Sequence, residues 1–153
     1  MRLWHKDLIP YLPRKQLVAQ WRECCAIAKN IAEKGTPNHI LVNKIMKTDI
    51  LHFISYTYWL KEELKKKGYK ISEKADKAFV NNLECVYGAL PFITRVYPMD
   101  RCYPNWHNER YLVQCLANLQ EKYDCGAISK QEWKVIVDHV ISCRLRLSDI
   151  FLR

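Results

Sequence analysis

From Leu12 to Ile31 the chain reads LPRKQLVAQWRECCAIAKNI, and its apolar residues recur at helical rather than strand spacing. Leu17, Val18, Trp21, Cys24, Cys25, Ala28, Ile31 and Ala32 form one stripe, which predicts an amphipathic helix from about Pro13 to Gly35 with that face in a core. Thr36 followed by Pro37 offers a cap and a proline suited to a first turn, predicting a second, shorter helix to about Met46. Thr48 and Asp49 open a third, DILHFISYTYWLKEELKKK, which Gly68 ends. Ser72 starts a fourth, running to about Leu83, and the prolines and aromatics of LPFITRVYPMDRCYPNW then predict irregular chain. Asn105 or Asn108 begins a further helix to about Asp124, and the capping box Ser129-x-x-Glu132 opens a last one toward Leu147. β-type alternation is scarce. The expected fold is all-α: a compact single-domain bundle of about five or six helices over residues 1–153, with an extended N-terminus.

Composition narrows the function. A chain of 153 residues suits one core, and 49% hydrophobic with 27% charged residues excludes wholesale disorder. Lys and Arg number 25 against 16 Asp and Glu, a formal charge of +9, which favours polyanionic partners, nucleic acid before anionic membrane. MRLWHKDLIP lacks the apolar run of a secretory signal, and ILHFISYTYWL is far shorter than the ~20 residues of a membrane span. A soluble cytoplasmic protein with no membrane partner is therefore expected. The seven cysteines, at 24, 25, 85, 102, 115, 125 and 143, contain no C-x-x-C pair, so they are expected to be reduced core residues rather than metal or redox centres. Neither metal nor cofactor is expected.

Arg22 and Glu23 pose a question within the first helix. Glu23 has Ala19, Gln20, Ala26 and Ile27 three and four positions away, and Arg22 has Val18, Ala19, Cys25 and Ala26, so neither finds an opposite charge on its own helix. Lys15, Arg22 and Lys29, seven residues apart, make a basic line. The pair is either solvated or partnered elsewhere in the fold, or else it is a carboxylate approachable by ligand beside a ridge suited to phosphates. Spacing leaves both readings open.

MRLWHKDLIPYLPRKQLVAQWRECCAI resembles the N-terminal segment of the phage-type pyrimidine-dimer DNA glycosylases, the endonuclease V repair family. In that family a short extended N-terminus leads into a long helix with Gln, Leu, a small residue and an aromatic ahead of an Arg-Glu pair, matched here by Gln16, Leu17, Ala19, Trp21, Arg22 and Glu23. NHILVNKI, around His39, and LKEELKKKGYKI are similar to later stretches of the family, and PNWHNERYL to a late loop-to-helix segment. The resemblance implies a glycosylase with abasic-site lyase activity, acting as a monomer on double-stranded DNA with damaged or modified bases. The terminal α-amine would attack C1′ of the damaged nucleotide with help from the helix glutamate. An ordinary α-amine, with a pKa of about 7.7–8.0, is roughly 10–20% neutral at pH 7, against about 0.04% for an ordinary lysine, so a chain terminus suits that role.

The same resemblance makes Met1 and Glu23 the expected catalytic pair, with Arg2, Lys15, Arg22, Lys29 and His39 on DNA. Position 2 departs from the family pattern. A small residue there lets the initiator Met be removed and exposes a threonine amine, whereas the bulk of Arg2 leaves the Met1 amine as the expected nucleophile. His5 could stand near the sugar, and Arg95, Arg101 and Arg110 interleave with Tyr97, Tyr103 and Trp106 either as a base-stacking segment or as a packed aromatic loop. A non-catalytic helical nucleic-acid-binding protein, a glycosylase for another modified base and an enzyme for a small phosphorylated substrate are the competing readings.

Overall fold

The first stripe folds as its spacing predicts. In a computed structural model, which describes residues 1–90 and 95–143, helix α1 spans Arg14–Lys34 and buries Leu17, Trp21, Cys24, Ile27, Ala28 and Ile31. It ends at Gly35, whose φ of 73° lies in the left-handed region where a side chain is disfavoured, and whose N–H closes on the Ile31 carbonyl. Helices α2 (Ile50–Lys66), α3 (Glu73–Tyr87), α4 (Glu109–Asp124) and α5 (Lys130–Ile136) follow. No β-strand occurs among the described residues. The protein is an all-α compact bundle.

Helices α2 to α5 start at side-chain caps, whereas α1 follows Pro13 without one. Asp49, Ser72, Asn108 and Ser129 accept backbone N–H groups at the starts of α2, α3, α4 and α5, and Ser129 with Glu132 forms the reciprocal capping box expected from the sequence. α1 packs against α2 and α3, where Trp21 and Phe79 meet at 5.2 Å and Phe53 and Phe79 at 5.7 Å between ring centroids. Lys61 crosses this seam, 2.8 Å from Asp76 and 5.5 Å above the Trp21 ring. The buried apolar side chains form one continuous cluster among the described residues, and all seven cysteines are free thiols, but only Cys24, Cys102 and Cys115 are the buried core residues expected; Cys25 is half-buried and Cys85, Cys125 and Cys143 are exposed.

Four local expectations of secondary structure change. The helix expected over Thr36–Met46 is a series of turns that becomes only a 3₁₀ segment at Asn43–Lys47, since Thr36 and His39 spend their polar groups on loop bonds. The fourth helix runs four residues beyond Leu83, to Tyr87 before Gly88. The last helix widens into a π-helical turn over Val137–Ile141, and its expected end at Leu147 lies outside the described residues. The N-terminus has no regular secondary structure over residues 1–5 and then, instead of continuing as extended chain into α1, forms a 3₁₀ helix at Lys6–Tyr11.

Candidate active site

Leu3, Trp4, His5 and Lys6 are buried, which obliges their backbone to find hydrogen bonds without a sheet or an α-helix. Side chains stand in for the missing neighbour strand. Gln20, at the centre of the apolar stripe of α1, accepts the Trp4 N–H at 2.7 Å and donates to the Arg2 carbonyl at 2.8 Å. Tyr56 of α2 donates to the Trp4 carbonyl at 2.8 Å, and Tyr111 of α4 donates to the Leu3 carbonyl. His107 Nδ1 accepts the Lys6 N–H at 2.9 Å. The Lys6 ammonium is in turn satisfied by the carbonyls of Asp100, at 2.6 Å, and Cys102, at 2.8 Å.

This harness delivers the chain terminus to Glu23. The Arg2 backbone N–H donates to Glu23 Oε2 at 3.2 Å, and Glu23 is half-buried one helical turn beyond Gln20. The Met1 amine is three covalent bonds from that amide nitrogen, which holds it to within about 7 Å of the carboxylate. Met1 is 36% exposed, so the terminus remains open to solvent. The Arg2 guanidinium lies 5.7 Å from the Trp4 ring and 4.0 Å from Cys115 Sγ. Beside it a concavity of about 480 Å³ is lined by Arg2, Lys44, Trp106 and Tyr111, with Ile40 and Leu41.

The other sequence candidates separate into groups. Lys15 and Arg22, with Arg14 and Tyr69, line a second concavity of about 520 Å³ that also contains Glu132. Lys29 is exposed and 3.8 Å from Glu33, one turn on. His39 uses Nδ1 to accept the Leu41 N–H at 3.3 Å, shaping its own loop. His5 is buried and caps the 3₁₀ helix through the Asp7 N–H. Lys65 and Lys66 pair with Glu62 and Glu63 along α2. Tyr103 and Trp106 are packed against His107 rather than displayed for stacking, while Arg95, Arg101 and Arg110 are exposed.

Burial sets the protonation of the surrounding rings. His107 is held well below the usual histidine range, first by burial and then by the nearby His5 and Lys6. Its Nδ1 accepts a backbone N–H, which fits the neutral ring. The Tyr111 and Tyr56 hydroxyls are pushed far above the usual phenol range, chiefly by burial, so both stay protonated donors to the N-terminal segment. Cys115, under Arg2, is raised by burial and is a thiol at neutral pH.

A family model described as pyrimidine dimer DNA glycosylase matches residues 1–77, the half of the chain that holds the terminus, Gln20, Arg22, Glu23, the 38–42 loop and all of α2. The chain belongs to that family. Comparison with curated proteins and with solved structures gave no match. Membership in the pyrimidine dimer DNA glycosylases makes the protein a DNA-repair glycosylase, with DNA carrying pyrimidine dimers as its substrate class. It agrees with the positive charge of the chain. No helix among the described residues is long and apolar enough to cross a membrane.

Trp106, expected only as part of an aromatic segment, lines the concavity, whereas Gln20, Lys44, Tyr56, His107 and Tyr111 were not among the residues singled out from sequence. One of them left a signal: Gln20 falls among Leu17, Cys24, Ile27 and Ile31 on the apolar face, where an amide needs buried partners. The others became site residues only through contacts made far along the chain.

Proposed function

We propose that the Met1 α-amine is the nucleophile of a glycosylase with abasic-site lyase activity, and that Glu23 is its catalytic carboxylate. The observation that carries this reading is the hydrogen bond from the Arg2 N–H to Glu23 at 3.2 Å, which keeps the chain end beside the acid. The neutral amine forms a bond to C1′, the glycosidic bond breaks with its electrons passing to the base, and the base takes up a proton. Loss of the amine proton and opening of the sugar ring leave an imine. Glu23 offsets the positive charge that develops at the sugar and the imine, then accepts the C2′ proton as the C3′–O bond breaks and the strand is cut. Water finally hydrolyses the imine and frees the amine.

Phosphates flanking the lesion fall to Arg2 beside the terminus, Arg22 and Lys15 along α1, and His39 in the loop. Lys29 joins them by exchanging Glu33 for phosphate, since an exposed pair of this kind holds only about 0.3–0.5 kcal/mol. The partner is double-stranded DNA and the acting species a monomer.

Borohydride, which reduces the imine to a stable amine, tests the assignment on DNA with a site-specific dimer or abasic site. Protein with a free terminus is expected to form a covalent adduct, and acetylation of the terminus to abolish it. Glu23→Gln is expected to lower adduct formation about 10²-fold or more while leaving binding within a few-fold. Undiminished trapping by Glu23→Gln removes that residue from the mechanism.

A further inference from the structure

Ile40 is 84% exposed and its neighbour Leu41 47%, although large aliphatic side chains gain by leaving water. The loop that carries them is fixed by its own polar groups. Asn43 Oδ1 accepts both the His39 N–H and the Thr36 hydroxyl at 3.1 Å, His39 Nδ1 accepts the Leu41 N–H, and Asn30 donates to the Pro37 carbonyl at 3.1 Å. An apolar tip is thus held out on a braced loop. It borders the concavity of Arg2, Trp106 and Tyr111, and the exposed Lys44 and Lys47 follow it directly.

Two apolar side chains that share a concavity with Arg2 and Lys44 are too small for a protein interface, which needs about 800 Å² from each partner. They match a DNA base step, where one or two apolar side chains inserted between bases unstack them while flanking cations hold the phosphates. We propose that Ile40 and Leu41 are a wedge that enters the duplex beside the lesion and opens the stack, so that the damaged nucleotide's sugar reaches the Arg2 and Glu23 end of the concavity. The proposal rests on the glycosylase reading for the direction of that movement. Opening the stack is a cost that every enzyme acting on a buried nucleotide must meet, and it is smallest where damage has already weakened pairing.

The test compares the full-length protein with Ile40→Ser/Leu41→Ser, which keeps the loop backbone, and with Ile40→Met/Leu41→Met, which keeps the apolar bulk. One duplex carries a thymine dimer beside a 2-aminopurine, whose fluorescence rises on unstacking. A second places the dimer opposite two abasic spacers, where pairing is already lost. The parent protein and the Met variant are expected to raise the fluorescence on binding. The Ser variant should raise it at least fivefold less, cut the paired duplex at least tenfold more slowly, and cut the spacer duplex within twofold of the parent. An equal fluorescence rise in the Ser variant, or an equal loss of cutting on both duplexes, overturns the wedge. A parent protein that raises the fluorescence but cuts neither duplex overturns the amine and glutamate mechanism and leaves the wedge standing.

Discussion

Gln20 sits on the apolar face of α1 with an amide that the core cannot leave unpaired, and it spends that amide on the backbone of Arg2 and Trp4 rather than on its own helix. Its partners are 16 and 18 residues away, and those of Tyr56 and Tyr111 are 52 and 108 residues away. Helical periodicity describes neighbours three and four residues apart, so it located Arg22 and Glu23 without saying what surrounds them. The resemblance to the glycosylases gave Glu23 its expected role, but the harness that brings the terminus to it was legible only as one misplaced glutamine. Gln20→Leu keeps the volume and leaves a buried N–H and a C=O unpaired, a loss of roughly 2–4 kcal/mol. A melting temperature lower by about 5–15 °C is expected, with a fall in covalent trapping that persists at temperatures where the variant is folded. Unchanged trapping by folded Gln20→Leu would show that the harness is not needed for the chemistry.

At the scale of elements, the starts and stops were written in short-range chemistry, and short-range chemistry is what a sequence exposes. The caps Asp49, Ser72, Asn108 and Ser129 and the stop at Gly35 stand where they were expected. The segment after Gly35 is a loop and not the expected helix because Thr36 and Pro37 suit either, and the competing bonds of His39 and Asn43 decide between the two. That difference matters for function, since a helix there would not hold Ile40 out on a braced loop. Gly35 offers a clean check of the α1 terminus, because a Cβ added there meets no atom within 4 Å and only the left-handed backbone opposes it. Gly35→Ala is expected to cost about 1 kcal/mol and to lower the melting temperature by about 2–4 °C. No change in melting temperature would contradict the left-handed cap.

Across the whole molecule, the fold turns a basic helical bundle into a holder for its own first residues, and two histidines tie that arrangement to pH. His107 accepts the Lys6 N–H and His52 the Tyr103 N–H, both through Nδ1, and burial lowers both below the usual histidine value. Below about pH 6.5 the unfolded chain takes up protons that the native rings resist, so their contribution is complete above that value and is lost as pH falls toward the native values. Thermal melts are expected to show stability declining from pH 7 to pH 5, and His107→Asn, whose carbonyl can accept the same N–H, to show a shallower decline. An unchanged slope in that variant would remove His107 from the pH response. Attack by the chain's own terminus on the damaged nucleotide beside Glu23 is checked by peptide mapping of the borohydride-reduced adduct on dimer-containing DNA. The sugar fragment is predicted on the α-nitrogen of Met1; recovery on a lysine side chain such as Lys44, which lines the same concavity, would contradict it.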